Sequence, residues 1–458
     1  MDRHDGYLLE IHTSKTGFLM APQDSRGLAL STVSERAAQA YRDGVDLMMS
    51  AWPGAAESLE QAIAADDDFA LAHAALARLH AMRMQPAEAR GCIARAGAAV
   101  ARRGTARERS HVATLALAIG GQGAKALESV LAHLDDWPRD ALILALPLGA
   151  FGLYAFSGMA DHDQARVALC ERVAGGFAED DWWFLASHGW SLVENGAVER
   201  GRAMVERALR IRAANANGMH ALAHALFEQG AGAEADTALA AWLPGYDRAG
   251  LLHGHLAWHQ ALAALDQGDA DRALAIYGQH VSPDVSLGAP LNIVSDAASL
   301  LWRLQLYGHA VPAADWQRAK AYGMSAYPQA GFAFADVHLG LLDAATADGA
   351  AAATRIAALD SLVAEGRLAA GSVVPAILRA AQAFTDGDPA GCARILEPML
   401  GQVARIGGSG AQREIVEDTL IVALMRSGDT AKARSLLDRR LHRRPSARDL
   451  LWRKQISA

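Results

Sequence analysis

Histidines are unevenly spread along this chain: of 17 in 458 residues, His188, His220, His224, His253, His255 and His259 fall in one central stretch. His220 and His224 are four apart, as are His255 and His259, so on a helix each pair shares one face. Imidazole is the side chain best poised for proton transfer near neutral pH. Asp296 or Asp336 could supply the carboxylate that orients it, and Arg303 or Arg413 a guanidinium for an anion. A single helical histidine is usually a satisfied core or surface residue. Two pairs 35 residues apart are a different matter, because stacked helices would bring them together. The HxxxH spacing is also one that two zinc-ligating imidazoles use. Ala221 and Leu256 stand where a metalloprotease motif has its acid, so no cofactor is expected and zinc on His220, His224, His255 and His259 is a secondary alternative. The catalytic set read from the sequence is those four histidines with Asp296. The ligand-binding set is His188, Trp190, Trp258, Arg303, Asp336, His338 and Arg413.

What must position these residues is helical. Alanine is abundant, aromatics make up 6% and no sustained Val/Ile/Thr alternation occurs, which favours helix over sheet. Six places repeat one pattern, a turn residue, a small residue five positions on and an apolar residue four beyond that. They are Met84/Ala89/Ile93, Gly196/Gly201/Val205, Gly230/Ala235/Leu239, Gly268/Ala273/Tyr277, Gly387/Cys392/Leu396 and Gly428/Ala433/Leu437. Glycine past a helix end turns the chain back at little cost, the small residue lets two axes approach, and the apolar one fills the space between them. Gly196 and Gly230 lie 34 positions apart, the tetratricopeptide period. The expected fold is all-α, an α-α superhelix of stacked TPR-like helix pairs. Residues 1–35 form a lead segment and residues 36–458 a single α-solenoid.

Five segments carry a more particular resemblance: HALAHALFEQG from His220, HGHLAWHQALAALDQGD from His253, DAASLLWRLQLYG from Asp296, FADVH from Phe334 and GGSGAQRE from Gly407. In this order and approximate spacing they resemble the tetratricopeptide repeat protein 38 family over about Trp182 to Pro445. The resemblance implies a cytoplasmic helical-repeat superhelix and no defined activity. The family tends to have further aromatics where this chain has His255, Leu256 and Ala257.

The rest of the sequence mostly excludes. Hydrophobic residues at 52% and charged residues at 21% suit a folded chain with a large core. A net charge of −8 argues against nucleic acid as a partner. Arg439, Arg440, Arg443 and Arg444 form one basic patch, read as a solvated helix end. Cys92, Cys170 and Cys392 form no CxxC pair, which fits a reducing compartment. The N-terminus lacks the basic start and apolar stretch of a signal peptide, and no run is long enough for a membrane span. A cytoplasmic monomer or small homo-oligomer is expected. No P-loop, nucleophile elbow or dinucleotide fingerprint occurs. GGSGAQR reads as a helix start capped by Ser409, with anion binding at the same N-terminus as the alternative. Two functions remain: a concave groove that binds a partner peptide or ligand, as helical-repeat scaffolds do, or an enzyme that acts on a small molecule in an enclosed histidine-rich pocket.

Overall fold

The computed structural model describes residues 21–456, so most of the lead segment lies outside the described residues. Twenty-three α-helices follow one another from Glu35 to Gln455. The only β pairing among the described residues is an isolated bridge between Gln23 and Ala29. The central helices pack as antiparallel pairs: Trp182–Glu194 with Val198–Ile211, Ala216–Glu228 with Gly232–Trp242, and His253–Asp266 with Ala270–Ile276. Pro290–Leu306, Ala333–Ala345, Val373–Thr385 and Gly410–Ser427 each begin a further pair. First helices stack on first helices along the chain, which defines an all-α superhelix of TPR-like pairs.

The turn pattern has the expected physical cause. Gly196, Gly230, Gly268, Gly387 and Gly428 all have positive φ, between 66° and 89°, and Met84 takes the same region at 57°. The small residues behind them are buried. Where Trp182–Glu194 crosses Val198–Ile211, a Cβ on Gly201 would stand 2.5 Å from the Gly189 carbonyl oxygen, so these two helices touch backbone to backbone.

The far end of the chain returns into its own superhelix. Ser409 caps Gly410–Ser427 in a capping box with Gln412, as the sequence indicates. That helix then runs among the first helices of earlier pairs. Gly408 N–H donates to Ala150 O at 3.0 Å, Gly410 N–H to Glu194 Oε2 at 2.7 Å, and Arg303 to Ala411 O at 2.6 Å. Ile415, Val416 and Thr419 face Val337, Leu341, Ile377 and Ala381 across a void of only about 10 Å³.

The basic patch is not a solvated helix end. Arg440 and Arg444 are buried and pair with Glu414, Asp418 and Asp449, because the pair formed by Gly410–Ser427 and Thr430–Arg443 lies inside the wrap and must neutralise its charges there. Arg439 and Arg443 stay at the surface.

Candidate functional site

The two histidine pairs come together. Ala216–Glu228 and His253–Asp266 are consecutive first helices, so faces that repeat at four-residue spacing meet across their contact. His224 Nε2 lies 2.9 Å from His220 Nε2, and His255 Nε2 lies 3.0 Å from the same atom. The His259 ring centroid stands 4.6 Å from that of His224, 4.9 Å from that of His255 and 5.2 Å from that of His220. One ring nitrogen from each of the four can be chosen so that all lie within 4.8 Å of one another. His224, His255 and His259 are buried and His220 is half-buried.

Carboxylates hold the outer edges of two rings. His255 Nδ1 donates to Asp296 at 2.9 Å, and His224 Nδ1 stands 2.8 Å from Glu194 Oε1. With protons on Nδ1, both Nε2 atoms present lone pairs toward His220. His220 Nε2 carries at most one proton when neutral and cannot satisfy both in line. Burial, reinforced by the neighbouring imidazoles, holds His220 and His259 well below the ordinary histidine range. Both are therefore neutral at pH 7, the form that ligates metals. Burial alone would raise Glu194, but His224, Arg413 and Arg166 bring it down to about 2. Asp296 is raised by burial despite His255. Such a cluster can hold a cation or pass a proton.

The tryptophans and arginines frame this centre. Trp258 stacks beneath His255, centroids 5.3 Å apart and planes 11° from parallel, and donates to Ser299 Oγ. Trp190 meets His224 edge-on at 6.0 Å and carries the Arg166 guanidinium 4.5 Å over its ring. Arg303 lies 5.8 Å over Trp258 and ties the site to Ala411 and Asp418. Arg413 binds Asp163 at 2.7 Å and the Gly408 carbonyl.

Three expected residues do not join. His188 is two positions from Trp190, about 200° round a helix, so it packs on Phe184 and has Arg200 and Glu171 as its charged neighbours. Asp336 is taken by Arg355 and the Gly331 amide, a structural ion pair. His338 bonds the Phe334 carbonyl oxygen, packs on that ring and falls to about 4 through burial.

Sequence reading missed Glu194, Glu228 and Asp266. Each stands two positions before a turn glycine, at Gly196, Gly230 and Gly268, and that periodicity could have revealed them. All three receive the returning C-terminal segment: Glu194 takes Gly410 N–H, Arg444 Nη1 stands 3.9 Å from Glu228, and Ser446 Oγ donates to Asp266 at 2.8 Å.

Burial outweighs Arg444 and pushes Glu228 up to about 7. A carboxyl raised in the folded state keeps a proton that the unfolded chain has already released, so stability falls as pH rises from about 4.5 to about 7. Glu228→Gln is expected to flatten that part of the curve, whose slope from this group is at most about 1.4 kcal/mol per pH unit. Urea midpoints of wild type and variant on either side of the window measure it, and parallel curves would contradict it.

The helix pairs place this chain among TPR-like helical-repeat superhelices. No family model matches it. Among solved structures it is similar to the P58(IPK) TPR domain, at 12% identity and TM-score 0.22 over 86% of this chain and 89% of that one. It is also similar to an IFIT1 monomeric mutant with Gppp-AAAA, at 13% identity and TM-score 0.30 over 94% and 78%. A third is Naa15/Naa10 bound to HypK-THB, at 14% identity and TM-score 0.24 over 89% and 64%. No helix among the described residues is long and apolar enough to cross a membrane.

Proposed function

We propose that this chain is a helical-repeat binding protein whose ligand is a divalent first-row transition-metal ion, bound where His220, His224, His255 and His259 converge. The observation that carries this is the convergence of three Nε2 atoms at 2.9 and 3.0 Å. Zinc–imidazole bonds of about 2.0–2.1 Å place two tetrahedral ligands about 3.3 Å apart, so each contact with His220 needs to open by only a few tenths of an ångström. The outer carboxylates support it further, since metal-bound histidines almost always donate their other N–H to such a group. All-imidazole ligation suits zinc, copper, nickel or iron(II) over magnesium or calcium. Zinc, the secondary alternative from sequence alone, thus becomes the leading candidate.

The same geometry narrows the groove-binding reading. Gly410 and Ala411, at the start of Gly410–Ser427, dock on Glu194 and Arg303 beside the histidines, which favours an ion or small ligand over a peptide. A place among tetratricopeptide repeat protein 38-like proteins, supported by the five sequence segments, and a cytoplasmic site, supported by three free buried cysteines, belong to this proposal.

Elemental analysis tests it. Protein dialysed against metal-free buffer is expected to retain about one first-row metal ion per chain, or to take up one zinc or cobalt(II) after chelation. Protein that binds neither ion at micromolar concentrations would overturn the reading.

A further inference from the structure

His259 differs from the other three histidines. No ring nitrogen of His259 has a hydrogen bond to another imidazole, and its buried Nε2 has no partner at all. The residue instead lines a narrow cavity of about 30 Å³ between Ala216–Glu228, Gly232–Trp242 and the Arg444–Pro445 segment. That is room for one or two waters or a molecule of comparable size. Gly230, Gly232 and Asp266, all half-buried, stand along its outer side.

A second polar group faces the same space with one nitrogen that makes no hydrogen bond. Arg444 is buried at 5% exposure and lines the cavity with His259. Its Nη2 is bound to Glu414, while its Nη1 has no hydrogen-bond partner and Glu228 Oε1 stands 3.9 Å away. Asp266, the other charged residue of the wall, already accepts from Ser446. A buried imidazole nitrogen and a buried guanidinium nitrogen, both unpaired, each cost free energy unless something occupies the space between them.

We infer that the metal centre is of the open type: His220, His224 and His255 hold the ion, and a small exogenous anion or water reaches its fourth position through this cavity, met by His259 and Arg444. This rests on the metal reading above. Three protein ligands and one exchangeable position are the arrangement of catalytic metal sites, whereas a closed set of four is structural. Three neutral imidazoles leave the charge of a divalent ion uncompensated, and in the wall Asp266 is engaged by Ser446 while Arg444 Nη1 faces the space, so the exchangeable ligand is an anion of no more than a few heavy atoms. Hydroxide or a simple carboxylate fits that description.

Cobalt(II) with azide as the probe ligand tests this on the full-length protein. The visible d–d bands of the cobalt(II) protein are expected to shift saturably on azide titration. His259→Ala should still bind one equivalent of cobalt(II), because it removes no holding ligand. Gly232→Leu should keep cobalt(II) and weaken azide at least tenfold. A Cβ at Gly232 meets only ordinary contacts, at 3.8 Å from Ala263 O and 3.9 Å from Asp266 Oδ2, so the longer side chain plugs the cavity without breaking the helix start. Cobalt(II) bands that ignore azide, or loss of cobalt(II) in His259→Ala, would show a closed four-imidazole site and overturn the inference while the metal reading stands. Failure of wild type to bind cobalt(II) would remove both. Should Gly232→Leu not fold, the wild-type titration and the His259→Ala stoichiometry decide alone.

Discussion

His220→Ala will purify as a folded helical protein that has lost its metal, with affinity for zinc reduced by more than hundredfold. His220 Nε2 is the atom that both His224 and His255 approach, so removing it takes away the ligand around which the others are arranged. The fold should survive because His220 is the least enclosed of the four and closes no turn. Asp296→Asn forms the graded comparison. The amide can still touch His255 Nδ1, but it no longer strengthens that ring as a donor to the metal, and the loss should be about 10–100-fold. Glu194→Gln should weaken zinc by a similar factor and also loosen Gly410–Ser427, because the same carboxylate accepts the Gly410 amide. Competition against a zinc-binding dye, with far-ultraviolet circular dichroism as the control for folding, reads all three. Unchanged zinc affinity in His220→Ala would reduce the cluster to a polar feature of the core.

Much of this site can be read from spacing alone, because it depends on two adjacent helices and a period. His220 with His224 and His255 with His259 satisfy the four-residue rule, and a separation close to one repeat brings the faces into contact. The failures are equally physical. His188 belongs to the same histidine-rich stretch and stands two positions from Trp190, yet two positions on a helix point nearly opposite ways. Asp336 and His338 lie on a later first helix, where local partners, Arg355 and the Phe334 carbonyl oxygen, satisfy them. The turns show the same division. All six predicted turn residues take positive φ, but two more turns of the same design escaped. Gly121/Ala126/Val130 sits among Gly120, Gly121 and Gly123, which hides which one turns, and Ala347/Ala352/Ile356 turns on an alanine at φ 53°. The return of Gly410–Ser427 into the superhelix left no local trace. Its contacts join residues more than 100 positions apart, such as Arg303 with Ala411 and Gly410 with Glu194. Only the row formed by Glu194, Glu228 and Asp266 hinted that something would dock there.

Gly230→Val will be the most destabilising of the turn substitutions, at about 3 kcal/mol, and the reason is that return of the chain. Gly230 has φ +66°, a region in which a β-branched residue is strained by about 1–2 kcal/mol. A Cβ there would also stand 2.2 Å from the Pro445 carbonyl oxygen. Backbone cannot yield as a flexible side chain does, so the Arg444–Ser446 segment must shift and strain its links to Glu414 and Asp266. Gly196→Val supplies the internal control. Gly196 closes the preceding pair at φ +89°, and its Cβ would meet nothing within 4 Å, so only the backbone strain remains, about 1–2 kcal/mol. The difference between the two urea-unfolding free energies therefore measures the seating of the C-terminal segment on the turn. Because that turn also lines the cavity beside His259, cobalt(II)-loaded Gly230→Val should show an altered response to azide, while Gly196→Val should match wild type. Equal losses of stability in the two variants would mean that the Pro445 contact is not held in solution.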